Sequence, residues 1–284
     1  MSVIDLHTHS SVSDGTQTPA ELIAAAVAAG IDVVALTDHD STAGWDEAFE
    51  AARGTPITVV PGLELSTQIA GTSVHILGYL VDPAEPGLVE GTALIRAERL
   101  SRAESMVGRI GRDYHLTWDD VLAQTTPGAT VGRPHIADAL VARGHVADRM
   151  EAFSGILHWK GGYYRSHPAP TPLEGVELIV GAGGVPVIAH PGGRGPDRIL
   201  HNGVFEKLVD AGLFGLEVRH RDNSPADQVK WAEVARRFGL VETGSSDFHG
   251  LGKPNVLAEN TTTPEAYAAI VAAATGAVPF TEPG

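Results

Sequence analysis

The chain has 284 residues, 43% hydrophobic and 19% charged, which suits one large α/β domain with length left for an insertion. It contains no cysteine, so a disulfide framework is excluded and any metal must be held by nitrogen and oxygen donors. Twenty basic residues against 35 acidic ones give a net charge of −15, a surface that repels anionic membranes and long nucleic acid, so no stable complex with either is expected.

The opening MSVIDLHTHS has neither a basic start nor a long apolar run, so it does not read as a signal peptide, and a cytoplasmic protein is expected. Val3–Leu6 is a short apolar strand. Thr18-Pro-Ala-Glu21 is a helix start with a capping box, and Leu22, Ile23, Ala26 and Val27 form its apolar stripe before Gly30 ends it. Val33–Leu36 is a second strand, Trp45–Ala52 a helix, Ile57–Val60 a third strand and Val74–Leu80 a fourth. From residue 86 to 170 the strand rhythm stops. Leu94–Ile110, with Arg and Glu at helical spacing, Pro134–Arg143 and Ala147–Leu157 predict a mostly helical insertion. Alternation then resumes, with strands at Val185–Ala189, Leu213–Val218 and Leu240–Thr243. Helices are expected at Ile199–Ala211, Pro225–Phe238 and Pro264–Ala274. This order predicts an α/β fold with a parallel sheet, closed into a barrel or doubly wound.

Polar residues recur at the strand ends: His7, His9 and Asp14 after the first, Asp38 and His39 after the second, and Glu64 after the third. His75 opens the fourth, His190 follows the fifth, and Asp247 and His249 follow the last. The carboxyl ends of parallel strands are where barrel active sites are built. Side chains alternate along a strand, so His7 and His9 face the same way and can bind one ion. Singly, each of these residues reads as a cap or a solvated loop group. Six histidines and three carboxylates at equivalent strand ends read instead as a metal centre. Nine ligands exceed what one ion takes, so two or three divalent ions sharing a carboxylate are expected. Imidazole with carboxylate suits manganese, iron or zinc.

These segments occur in order: His7-Thr-His9 with Ser13-Asp14-Gly15, Leu36-Thr-Asp38-His39-Asp40, Pro61-Gly-Leu-Glu64, His75-Ile-Leu-Gly78-Tyr79, Ala189-His190-Pro-Gly192 and Ser246-Asp247-Phe-His249-Gly250. Together they resemble the motifs of the PHP (polymerase and histidinol phosphatase) family. Gly132-Arg133-Pro-His135-Ile-Ala137 is similar to the bacterial members acting on nucleoside 3′,5′-bisphosphates and short RNA 5′ ends. The resemblance implies a distorted (β/α)7 barrel, residues 1–85 and 171–284, with residues 86–170 as a helical cap that recognises substrate. It implies a trinuclear centre, usually manganese: one ion on His7, His9, Glu64 and Asp247, a second on Glu64, His75 and His190, a third on Asp14, His39 and His249. The activity it implies is hydrolysis of a phosphate ester, foremost the 3′-phosphate of a nucleoside 3′,5′-bisphosphate. Alternatives are a 5′ exonuclease on short RNA, a small-metabolite phosphatase, or a module that has lost catalysis.

Metals make such chemistry feasible by lowering the pKa of a bound water and offsetting phosphoryl charge. Asp247 is expected at the reacting centre, and His220, in Val218-Arg-His220-Arg221, is a candidate acid for the leaving alkoxide. A second phosphate needs cations, for which Arg133, His135, Lys160 and Arg194 are the candidates.

Overall fold

A computed structural model describes residues 2–166, 168–193 and 200–282. Seven strands form one sheet in chain order: β1 (Ile4–Thr8), β2 (Val33–Leu36), β3 (Thr58–Ile69), β4 (Thr72–Tyr79), β5 (Val185–Ile188), β6 (Gly215–Arg219) and β7 (Val241–Gly244). Past β7 the chain returns to β1. His9 donates its backbone N–H to Phe248 at 2.8 Å and Thr262 donates to Ile4 at 2.9 Å, so the sheet nearly closes into a barrel.

The sheet is not wholly parallel, contrary to the expectation from alternation. β4 runs antiparallel to both β3 and β5, while the remaining pairs are parallel. The cause is the Ala70-Gly71 turn between β3 and β4, whose φ values of 50° and 78° are both left-handed. Such a two-residue turn matches the twist of adjacent strands and reverses the chain at once. β3 therefore extends well past Val60, and Glu64 lies inside it rather than after it. His7 and His75 are likewise within strands rather than at their ends.

Helices α1 (Pro19–Ala28) and α2 (Trp45–Ala52) begin and end close to expectation, and both halves of the Thr18–Glu21 capping box form. α3 (Pro86–Tyr114) is far longer than the expected segment, because Glu85 caps it and Pro86 starts it. α4 (Trp118–Leu122) was not anticipated. α5 (Arg133–Ala142) and α6 (Arg149–Ser154) replace the two later predicted helices, the second cut short at Gly155. α7 (Pro172–Gly181) was also missed, although Thr171-Pro-Leu-Glu174 repeats the capping signal of α1. α8 (Asn202–Asp210), α9 (Pro225–Phe238) and α10 (Pro264–Ala273) complete the chain. The predicted start of α8 at Ile199 lies outside the described residues.

Two hydrophobic clusters meet on α3, while a third, with Leu6, Val60, Leu77 and Val187, joins β1, β3, β4 and β5. The main core packs α1, α2, α7, α8 and α9 against the outer faces of the strands, through residues such as Leu22, Val34, Ile76, Ile179 and Trp231. A separate core at the far end of α3 joins Met106, Ile110, Val121, Ile136 and Leu140. The near end of α3 contributes Leu88 and Ile95 to the main core, so this one helix belongs to both.

α7 braces the β3–β4 hairpin that carries Glu64 and His75. Its Gly175 sits so close that an added Cβ would come within 2.6 Å of Thr67 Cγ2 and 3.2 Å of Ile76 Cδ1. Thr67 is buried and tied to Val74, so it cannot easily yield. Overpacking of this kind costs about 1–3 kcal/mol. Gly175→Ala is expected to lower the melting temperature by roughly 2–10 °C in a thermal scan; an unchanged value would mean that α7 can slide without cost.

Candidate metal centre

The six histidines and three carboxylates singled out in the sequence converge at one end of the barrel, and all nine are buried. Glu64 lies at the middle. Its Oε2 is 3.4 Å from His7 Nε2, 3.1 Å from His9 Nε2 and 3.1 Å from His39 Nδ1. Its Oε1 is 2.7 Å from His75 Nδ1 and 3.0 Å from His190 Nε2. One carboxylate thus serves two sets of imidazoles through its two oxygens. On the opposite side, Asp14 Oδ1 is 3.2 Å from His249 Nε2, and Asp14 Oδ2 is 3.8 Å from His39 Nε2.

Three groups of donors have atoms within 4.8 Å of one another: His7, His9, Glu64 and Asp247; His9, Asp14, His39 and His249; and His39, Glu64 and His75. The first group matches the set expected from the sequence. The other two differ in detail, since His9 and His39 each stand between two groups, while His190 reaches in through Glu64 Oε1.

Several of these atoms are buried yet unpaired. Asp247 Oδ1, His249 Nε2 and His39 Nδ1 have no hydrogen-bond partner, although each lies 3.1–3.4 Å from a donor atom of a neighbouring group. Buried polar atoms are ordinarily satisfied. Lone pairs aimed at common points fit divalent cations, and this donor set of imidazole and carboxylate fits transition metals.

The electrostatics agree. Burial alone would push His9 down, but the neighbouring carboxylates of Asp247 and Glu64 hold it up at about 9. Burial, with Lys253 and His9 nearby, pushes His249 down to about 4. Glu64 and Asp247 are held well below the carboxylate range against the cost of burial, Glu64 by His75 and His39, Asp247 by Lys253 and His249. A centre this rich in carboxylates calls for positive charge, which protons or metal ions can supply.

Further contacts orient several of the nine. Glu217 accepts from His7 Nδ1 at 3.1 Å and from the His190 backbone N–H at 2.7 Å. With Nδ1 donating, the neutral form of His7 presents the lone pair of Nε2 to the centre, the carboxylate–histidine arrangement of metal sites. Burial opposes the charge on Glu217, but His7 and His220 bring it down to about 2. His249 Nδ1 donates to the Asp247 carbonyl at 2.8 Å, freeing its Nε2 in the same way. Asp38 accepts from Ser10 N, Ser10 Oγ and Ser13 Oγ at 2.6–2.8 Å, which fixes the loop between His9 and Asp14. His220 is buried, and its Nδ1 accepts from Asp222 N at 3.0 Å. Its remaining proton therefore sits on Nε2, 3.6 Å from Asp247 Oδ2.

A pocket opens beside this centre, lined by Asp14, His39 and His75 on the barrel side and by Arg99, Arg102 and Arg133 from α3 and α5. Arg133 lies 5.4 Å from the ring centres of both Phe153 and Tyr164, a cation held between two aromatic faces. Arg99 is buried: its Nη1 donates to Ser66 Oγ at 2.7 Å and pairs with Asp40 at 3.3 Å, while its Nε has no partner. Burial and the neighbouring Arg99 and Arg133 push Arg102 down to about 9.

Of the four cations expected to hold a second phosphate, then, Arg133 lines the pocket. His135 is buried, and its Nδ1 accepts from Gly132 N at 3.1 Å, a capping role at the start of α5. Lys160 is exposed and rests over Trp159 at 4.8 Å, away from the pocket lining. Arg194 lies outside the described residues. Arg99 and Arg102, which also line the pocket, are not among those four. The missed signal is their spacing, since Ile95, Arg99, Arg102 and Met106 fall on one helical stripe whose other members are buried.

A PHP domain model matches residues 5–128. The chain is 38% identical over 254 residues to a 3′,5′-nucleoside bisphosphate phosphatase of Chromobacterium violaceum, covering 89% of each protein. It is 33% identical to a 5′-3′ exoribonuclease of Haemophilus influenzae, over 86% of this chain and 89% of that one. A crystal structure of a Bifidobacterium adolescentis protein assigned as a metal-dependent phosphoesterase superposes with a TM-score of 0.91 at 42% identity, covering 96% of both chains. Likeness on this scale, together with donor clusters able to hold several metal ions, makes the chain a member of the PHP family and a metal-dependent phosphoesterase.

Proposed function

We propose that the protein hydrolyses a phosphate monoester of a small nucleotide, foremost the 3′-phosphate of a nucleoside 3′,5′-bisphosphate such as pAp, giving AMP and phosphate. The observation that carries this reading is the three-arginine pocket beside the converging histidines and carboxylates. Like charges packed together away from water are unfavourable, and a doubly charged anion relieves them. A monophosphate ester needs only the metal centre. A bisphosphate needs a second cationic site at a short distance, which Arg133, Arg102 and Arg99 supply. Residues 86–170 then act as a substrate-recognition cap.

On this reading His7, His9, Asp14, His39, Glu64, His75, His190, Asp247 and His249 hold two or three divalent ions, manganese first, with zinc or iron as alternatives. Bound there, the ions would supply a hydroxide near neutral pH and offset charge on the phosphoryl oxygens. Glu217 and Asp38 hold the imidazoles in place. His220, with its proton on Nε2, is the candidate donor to the leaving oxygen. Arg194 remains a candidate for the second phosphate, and Lys160 one for outer contacts only. The net charge of −15 and the small arginine pocket favour a compact substrate over long RNA. Exonuclease action on short RNA 5′ ends is the second reading, supported by the Haemophilus influenzae relative. No helix among the described residues is long and apolar enough to cross a membrane, and a cytoplasmic location is proposed.

Two experiments test this. Elemental analysis of protein produced with added manganese is expected to find two or three ions per chain. Glu64→Gln, which removes the charge shared by five imidazoles, should lose metal and turnover together, whereas Glu206→Gln on exposed α8 should change neither. Full activity at one ion or fewer per chain would remove the multinuclear model.

Arg133→Ala is expected to lower kcat/KM on pAp by about 10- to 100-fold, the usual loss for a charge-assisted contact to phosphate. Activity on p-nitrophenyl phosphate, which has no second phosphate, should stay near wild type, and so should metal content. Equal losses on both substrates would place Arg133 at the reacting phosphate and defeat the cap assignment.

A further inference from the structure

Lys253 is outside the nine converging side chains and outside the lining of the arginine pocket. Its position follows from a tight reversal after β7. Gly250 takes φ 63°, Gly250–Gly252 form a single turn, and Asn255 Nδ2 then donates back to Ser246 O at 2.6 Å. Leu251 N donates to Thr16 Oγ1 at 2.8 Å, pinning the turn to the loop that carries Asp14. The fold-back brings the Lys253 ammonium onto Asp247 Oδ2 at 2.6 Å, and His220 Nε2 stands 3.6 Å from the same oxygen. The other oxygen, Oδ1, is buried, lacks a hydrogen-bond partner and faces His7 and His9 at 3.5 and 3.4 Å. The two oxygens of this carboxylate therefore have different surroundings.

We propose that Lys253 is a positioning residue which, by occupying Oδ2, holds Asp247 as a one-oxygen ligand directed at the His7–His9–Glu64 group. The proposal rests on the metal-centre reading above. A carboxylate without such a partner turns about its Cβ–Cγ bond and offers either oxygen or both. A charge-assisted hydrogen bond at 2.6 Å removes that freedom. Groups that orient a metal ligand in this way typically change metal affinity about 10- to 100-fold when removed. The ammonium is also a cation beside a residue that would hold an ion, and by repulsion alone its loss would tighten metal binding. Positioning and repulsion thus predict opposite signs, which makes them separable.

The test is calorimetric titration of Mn2+ into the metal-stripped protein, with the fold of each variant checked by circular dichroism. Wild type is compared with Lys253→Met, Lys253→Gln and Lys253→Arg, and with Lys207→Met as a control for an exposed charge on α8. The expected result is that Lys253→Met weakens at least one Mn2+ site by about 10- to 100-fold. Lys253→Gln, which keeps a donor, should fall between, Lys253→Arg should restore most of the affinity, and Lys207→Met should match wild type. Tighter or unchanged Mn2+ binding in well-folded Lys253→Met would overturn the proposal. So would a lower melting temperature of the metal-free variant with unchanged Mn2+ affinity, since that is a structural role alone. Wild-type protein that takes up no Mn2+ would instead overturn the metal-centre reading itself.

Discussion

The arrangement of the whole site turns on one buried carboxylate. Glu64 is 1% exposed and sits within 3.4 Å of five imidazoles, three on one oxygen and two on the other. Placing a lone carboxylate at such depth costs several kcal/mol unless positive charge offsets it. The neighbouring carboxylates hold His7 and His9 up, so protons on these two offset part of that charge, whereas burial pushes His39 and His249 down. Metal ions held by the converging donors would supply the rest. The strands that supply the imidazoles, the hairpin that supplies Glu64 and the nearly closed barrel that brings them together all serve that requirement.

The same reasoning explains how a strongly acidic protein can accept an anionic substrate. The charge of −15 is that of the whole chain, whereas three arginines are gathered in one pocket beside the donor cluster, where bound metal ions would add to the positive field. Each arginine is held differently. Arg99 is braced by Ser66 and Asp40, and Arg133 lies between two aromatic rings. Burial, with the other two nearby, pushes Arg102 down to about 9. Preorganised cations of this kind need little rearrangement when an anion arrives.

Much of this was legible in the sequence. Ligand-type residues recur at intervals set by strands and helices, and several are unusual for their surroundings, such as His7 in an apolar strand with His9 just past its end. The order of those segments carries the barrel. What the sequence concealed has definite causes. The antiparallel β4 rests on the backbone angles of Ala70 and Gly71, which a dipeptide of small residues does not advertise as strongly as Asn-Gly would. Glu217 is a single carboxylate in an apolar strand, and its partners, His7 and His190, are distant along the chain. Arg99 and Arg102 look like ordinary exposed charges until their place on the buried stripe of α3 is recognised. Lys253 reaches Asp247 only because Gly250 turns the chain back. In each case, tertiary contact rather than local pattern decides the role.

α3 also has a consequence for how the molecule comes apart. Its 29 residues make a rod about 43 Å long, with Leu88 and Ile95 embedded in the main core and Met106 and Ile110 in the other. Between these ends, Arg96 and Arg99 fasten it to Asp40, the neighbour of His39. A helix shared in this way leaves no seam at which the chain can divide. Loosening either end frays the common rod and pulls on the segment that carries His39, so loss of one core is expected to disturb the other and the donor cluster as well.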